Sequence, residues 1–229
     1  RELAARAAPP AEPERARLEE LFSALGRLDA PAVERQLALQ LSALGVRLFL
    51  ETVALPFLRE VGSRWQGGTL CTSEEHLASA ALRGVIARAQ RAGGGQSGGL
   101  LLATPAGERH ELGILMVSLC AQEHGTRVVY LGCDLPADEI ADAATRARVQ
   151  AVGLGIVALD PASALQELRL LRRKLPKATE LWIGGSAAER LSPLPAGSVG
   201  IGDLAELETT GRVEGVDQPL AVAHIARRG

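Results

Sequence analysis

Aromatic side chains are scarce in this sequence: two Trp, one Tyr and three Phe make up 3% of it, and there is a single Met. A core must therefore be built from Leu, Val, Ile and Ala, and any Trp invites a question about its task. Three cysteines, Cys71, Cys120 and Cys133, are an odd number without metal-type spacing. That excludes a disulfide framework and suits reduced thiols in a cytoplasmic protein. An excess of basic charge is also missing, since 25 Lys and Arg face 27 Asp and Glu for a formal charge of −2. Direct nucleic-acid binding by this chain is not expected on that balance. No stretch runs to about 20 apolar residues without charge, so no membrane span is expected. The first residues, rich in Arg, Glu and Ala, lack the apolar stretch of a secretory signal. Nor does a Ser/His/Asp set, a carboxylate pair or a phosphate loop stand out, and no enzymatic activity is expected.

What is present falls into two patterns. Residues 1–13 read as a flexible lead-in, and residues 14–92 read as helical. Leu18, Leu21, Phe22 and Leu25 recur at helix spacing before Gly26. Pro31 opens a second helix with Asp29 as capping candidate, continued by Val33, Leu37 and Leu41. A third stretch, Leu44 to Trp65, is apolar nearly all round, and Pro56 predicts a kink or break inside it. Thr72 followed by Glu75 has the spacing of a capping box opening a fourth helix. Four helices with short connections predict an antiparallel four-helix bundle.

Gly93–Gly99 (GGGQSGG) reads as a linker. Beyond it, over 99–229, strand-length apolar runs at Leu100–Ala103, Arg127–Leu131, Ala151–Val157, Leu181–Ile183 and, more weakly, Val199–Ile201 alternate with helical stretches. Those stretches are Glu111–His124, Ala137–Arg148, Ala162–Leu175 and a shorter one after Ser186, with a last helix expected at Leu220–Arg227. Alternation of this kind predicts a Rossmann-like, flavodoxin-like parallel sheet with ligands beyond the carboxyl ends of its strands.

The first strand is followed by Glu108-Arg109-His110-Glu111-Leu112-Gly113. A neutral imidazole is a good cobalt ligand through one nitrogen, while a carboxylate on the other nitrogen fixes tautomer and orientation. Glu108 stands two residues away to do so, and Gly113 removes a side chain where a flat ligand approaches the backbone. Read alone, the hexapeptide equally suits an exposed loop histidine beside a capping glutamate.

The whole pattern resembles the cobalamin-binding domains of methionine synthase, the mutases and corrinoid proteins. These carry Asp-x-His-x-x-Gly, about 41 residues, Ser-x-Leu, 26 to 28 residues, then Gly-Gly. Here 41 residues, Ile114 to Leu154, separate Gly113 from Gly155-Ile156-Val157, and 26, Ala158 to Ile183, precede Gly184-Gly185. The resemblance implies that His110 binds cobalt from below. It implies too that Gly155, Val157, Gly184 and Gly185 line a slot for the displaced benzimidazole tail, where bulky side chains would not fit. Two departures stand out: Glu108 replaces the family's Asp, and Gly155 replaces its Ser.

In the helical region, Trp65 is followed by nine residues and then Glu75-His76. This pattern is similar to that of CarH-type light-sensing cobalamin repressors, whose bundle covers the upper corrin face. The resemblance implies that Trp65 packs on an adenosyl group, with Glu75 and His76 in the same pocket. Each residue also has an ordinary reading: a helix-ending Trp, a capping Glu, a surface His. The residue after the Trp is His in well-known members and Gln66 here, which leaves His76 as a candidate second cobalt ligand. The resemblance covers about residues 14–200 and includes no counterpart of those repressors' winged-helix DNA-binding domain.

The expectation is thus a light-sensing regulatory protein that binds adenosylcobalamin base-off and His-on. It would assemble as a homo-oligomer and act on a regulatory partner or fused output domain. Two alternatives stand beside it: a methylcobalamin carrier of a methyltransferase system, and a photocobilin-type sensor that also binds a bilin, with Cys71 as its conceivable attachment point.

Overall fold

The computed structural model describes residues 12–90 and 97–201. Outside them lie the lead-in up to residue 11, residues 91–96 of the linker region, and the helix expected at Leu220–Arg227. The chain divides into two compact units, with the division between Ala87 and Arg88.

The first unit is helical. α1 (Glu12–Gly26) begins two residues earlier than the sequence suggests, with Pro13 in its first turn, where a missing N–H costs nothing. α2 (Ala30–Phe49) starts as expected: Asp29 accepts the N–H of Ala32 at 3.0 Å and a proline occupies the first turn. The expected gap between a second and third helix is reduced to one residue, Gly45, whose φ of 74° and ψ of 168° leave helical geometry. Glycine alone takes that conformation without strain, and the helix resumes directly after it.

Pro56 stands in the first turn of a new α-helical stretch, so the expected irregularity is present as a change of helix type. A π-helical turn, Leu50–Ala54, precedes α3 (Leu55–Gln66), and the N–H of Leu55 reaches the carbonyl of Leu50, five residues back. This wider turn falls just where the chain meets a residue with no N–H to donate. Ala30–Gln66 is long and apolar enough to cross a membrane by length and composition, a property the charge count along the sequence did not suggest. Its apolar residues nevertheless build the interior of this unit: Val33, Leu37, Phe49, Leu50, Val53, Phe57 and Val61 are buried with Leu21 and Leu25 of α1. An Arg47–Glu51 ion pair sits midway along it. One face of it is thus packed within the unit.

α4 (Thr72–Ala89) completes the unit with Ala78, Ala81, Leu82, Val85 and Ile86 buried. Its cap differs from expectation. Glu74, and not Glu75, reaches back, accepting the N–H of Cys71 at 2.7 Å.

The second unit is a parallel sheet. β1 (Ser97–Pro105), β2 (Thr126–Leu135), β3 (Ala151–Gly155), β4 (Glu180–Gly184) and β5 (Ser198–Ile201) lie in the order β2-β1-β3-β4-β5. The end of the glycine-rich stretch is strand, with Ser97 paired to Thr126. α5 (Leu112–Glu123), α6 (Ala137–Ala147) and α7 (Pro161–Lys174) follow the first three strands, and the short helix after Ser186 is a single 3-10 turn, Ala188–Arg190. Successive residues of β1 face opposite sides, and both sides are buried. Leu101 and Ala103 join Ile140, Ala144, Leu168 and Leu171 of α6 and α7. Leu100 and Leu102 join Ile114 of α5 and Trp182. None of the three cysteines forms a disulfide.

The Phe22 and Phe57 rings meet at 5.6 Å between centroids, and Phe57 is fully buried. Phe57→Ala is expected to lower the unfolding free energy of the helical unit by about 3–5 kcal/mol, the usual cost of such a cavity. Urea unfolding followed by the helical circular-dichroism signal measures it.

Candidate functional site

In the strand order β2-β1-β3-β4-β5 the connections turn to opposite sides between β1 and β3, which opens a crevice at the carboxyl ends of those two strands. The loop after β1 carries Glu108 and His110, and the loop after β3 carries Val157, Ala158 and Leu159.

Glu108 is wholly buried. Its Oε2 accepts the backbone N–H groups of Val157 at 2.8 Å, Ala158 at 2.7 Å and Leu159 at 3.0 Å. Its Oε1 accepts the N–H of His110 at 3.0 Å and contacts His110 Nδ1 at 2.5 Å. Burial alone pushes the carboxyl up; the N–H groups of Val157 and Ala158, the imidazole and the His110 N–H outweigh it and lower the pKa from 4.5 to about 2. An ionised carboxylate only accepts, so the imidazole proton must sit on Nδ1. In the neutral ring the lone pair is then on Nε2, and the side chain is 58% exposed. That is the form a metal binds. Among the described residues no group of three or more His, Cys, Asp or Glu gathers for a bare ion. One imidazole suits a metal whose equatorial positions a macrocycle fills, and the residues present therefore fit a corrin-bound cobalt.

The glycines differ among themselves. Gly113, in the first turn of α5, faces open space. At Gly155 a Cβ would come within 2.8 Å of the Ile114 methyl, so the place of the family's serine side chain is taken by Ile114. At Gly185, with φ of 103°, a Cβ would lie 2.3 Å from the carbonyl oxygen of Ile156. Gly155 pairs with Gly184, and the N–H of Ile156 donates to the Gly184 carbonyl at 2.8 Å. The space at Gly155 and Gly185 is thus occupied by the chain itself, a packing role the sequence did not reveal. Val157 contributes its N–H to Glu108.

In the helical unit, Trp65 ends α3 with about half its surface exposed, whereas Trp182 is buried in the sheet. Glu75, free of capping duty, accepts the Ser79 hydroxyl on Oε1 at 2.7 Å and contacts His76 Nδ1 through Oε2 at 2.8 Å. His76 is 75% exposed. The structure thus joins Glu75 to His76 as it joins Glu108 to His110. Sequence reasoning missed Ser79, whose signal is the i,i+4 spacing from Glu75, and Thr104 and Asp134, which contact the Glu108 loop. A buried Thr inside an apolar strand was the available sign of Thr104.

Glu108→Gln leaves one carbonyl oxygen for five donors and turns an NH2 toward the others. It is expected to cost about 2–4 kcal/mol of stability. Because the folded-state pKa of Glu108 is depressed, its contribution is fully present above about 4.5 and is lost as pH falls toward about 2. Denaturant unfolding of the two proteins should therefore show a constant difference near neutrality that shrinks on acidification through that window.

Two models of the B12 binding domain match this chain, one over residues 17–90 and one over residues 98–206. The HTH-type transcriptional repressor CarH of Myxococcus xanthus is 35% identical over 173 residues, covering 74% of this chain and 58% of the repressor. The repressor CarA of the same organism is 36% identical over 153 residues, covering 65% of this chain and 51% of its own length. The chain spans about half the length of these curated relatives. The Methanosarcina barkeri monomethylamine corrinoid protein matches with a TM-score of 0.63 at 18% identity, over 84% of this chain and 95% of that one, a likeness of fold. Through both its helical and its α/β half, and as a relative of the CarH-type repressors, this chain belongs to the B12-binding domain family.

Proposed function

We propose that this protein is a cobalamin-binding, light-sensing regulator that holds adenosylcobalamin with His110 as the lower cobalt ligand. The observation that carries the cobalt assignment is the buried Glu108 carboxylate, fixed by three backbone N–H groups and holding His110 by Nδ1. Identity to two transcriptional repressors supports regulation over enzymatic turnover.

Bound adenosylcobalamin supplies a weak cobalt–carbon bond that visible light breaks. The chain's own groups do the rest. Glu108 keeps the His110 proton on Nδ1, so Nε2 stays a donor to metal. Trp65 offers a half-exposed indole face to an adenosyl group. Glu75, oriented by Ser79 and His76, retains acceptor lone pairs for ribose hydroxyls. These contacts exist only while the upper ligand is in place. Its loss therefore shifts a two-state equilibrium of the helical unit and alters an interface, with a second copy of the chain or with a regulatory partner. With Gln66 after Trp65, His76 is the imidazole of this cluster that would be the candidate second ligand to a bound cobalt.

Adenosylcobalamin added in the dark should give a base-off, His-on absorption spectrum that green light converts and that His110→Ala abolishes. Trp65→Ala should weaken adenosylcobalamin retention roughly tenfold, about 1.4 kcal/mol, with lower ligation intact. Binding unchanged by light beyond free-cofactor photolysis would favour a methylcobalamin carrier, and no binding at all would overturn the cofactor assignment.

A further inference from the structure

The residues on either side of His110 are tied to β2, the strand at the edge of the sheet. Between Leu102 and Pro105 on β1, the paired residues of β2 run from Tyr130 to Leu135, so β2 carries two extra residues there. They bulge, and Gly132 and Asp134 take left-handed φ values of 85° and 61°. A non-glycine residue in that region is held there by its contacts and is a pointer to function.

The bulge brings Asp134 against the loop that leads to His110. The Asp134 N–H donates to the Glu108 carbonyl at 3.1 Å and to the Thr104 hydroxyl at 3.0 Å. Its Oδ1 accepts the Gly107 N–H at 2.7 Å, and Oδ2 lies 3.8 Å from Arg109 Nε. Buried Thr104 donates its hydroxyl to the Glu108 carbonyl at 2.5 Å. On the far side of His110, the Tyr130 hydroxyl donates to Glu111 Oε2 at 2.7 Å. Residues 107 to 109 and residue 111 are thereby tied to one strand, and His110 lies between the two ties.

We propose that Asp134 and Tyr130 are positioning residues for the axial imidazole. Glu108 sets the ring's tautomer, while Asp134 and Tyr130 fix the main chain that carries the ring, so Nε2 meets the metal in one orientation. This inference rests on His110 as the lower ligand, and its test separates the two.

The test is electron paramagnetic resonance of the whole chain, 15N-labelled at histidine and loaded with cob(II)alamin. Ligation by a histidine nitrogen splits the cobalt signal into doublets, whereas the cofactor's own benzimidazole gives triplets. His110→Ala should abolish the doublets; doublets that persist would remove the reading on which the inference rests. Given their loss, Asp134→Ala and Tyr130→Phe should each lower the doublet fraction and weaken cob(II)alamin binding roughly tenfold, in the range found for groups that orient metal ligands. Asp134→Asn keeps an Oδ1 acceptor and tolerates left-handed φ, so it should restore both. Thermal unfolding of the cofactor-free variants establishes that they fold. Should Asp134→Ala not fold, Tyr130→Phe, which removes one hydroxyl, decides the matter. Undiminished doublets and affinity in the folded variants, or weaker binding with an unchanged doublet fraction, would overturn the proposal.

Discussion

One buried carboxylate organises the α/β unit. Five N–H groups point at Glu108: three from the loop after β3, the backbone of His110, and its imidazole. A buried negative charge is tolerated only when so thoroughly satisfied, and removing any one partner leaves the others facing a costly remainder. The interaction therefore works in two directions. It ties the loop after β1 to the loop after β3 as a structural bond, and it holds the imidazole by Nδ1. The protein cannot lose the second without endangering the first.

The architecture of the second unit was legible because its signals are redundant. Each strand core from Leu100–Ala103 to Val199–Ile201 is an apolar run bounded by turns, and each helix between strands has its own period. The pairing of Glu108 with His110 was legible because a loop motif stands at fixed distances from Gly155 and from Gly184-Gly185. The backbone donors of Ala158 and Leu159 were not, since any residue supplies an N–H. Asp134 was hidden for a related reason: its reach depends on two bulged residues in β2, and a bulge leaves no periodic trace. Ile114 beside Gly155 is a three-dimensional complement that neither position announces alone.

In the helical unit the difficulties were of phase. Thr72 and Glu75 have capping-box spacing, yet the helix starts so that Glu74 accepts the N–H of Cys71. One residue of offset separates a structural carboxylate from one able to orient His76 and bind Ser79. Position alone divides these neighbouring glutamates into two roles.

The π-helical turn before Pro56 carries the same lesson further. In an α-helix each residue advances the azimuth by about 100°, so a turn that absorbs one extra residue rotates everything after it by roughly that angle. The direction in which Trp65 leaves α3 thus depends on the number of residues in the turn Leu50–Ala54, about three turns upstream. Among related chains, a single residue gained or lost there would re-aim the indole while leaving every motif intact. Such a change would read as a silent insertion in one dimension and as a redirected indole in three.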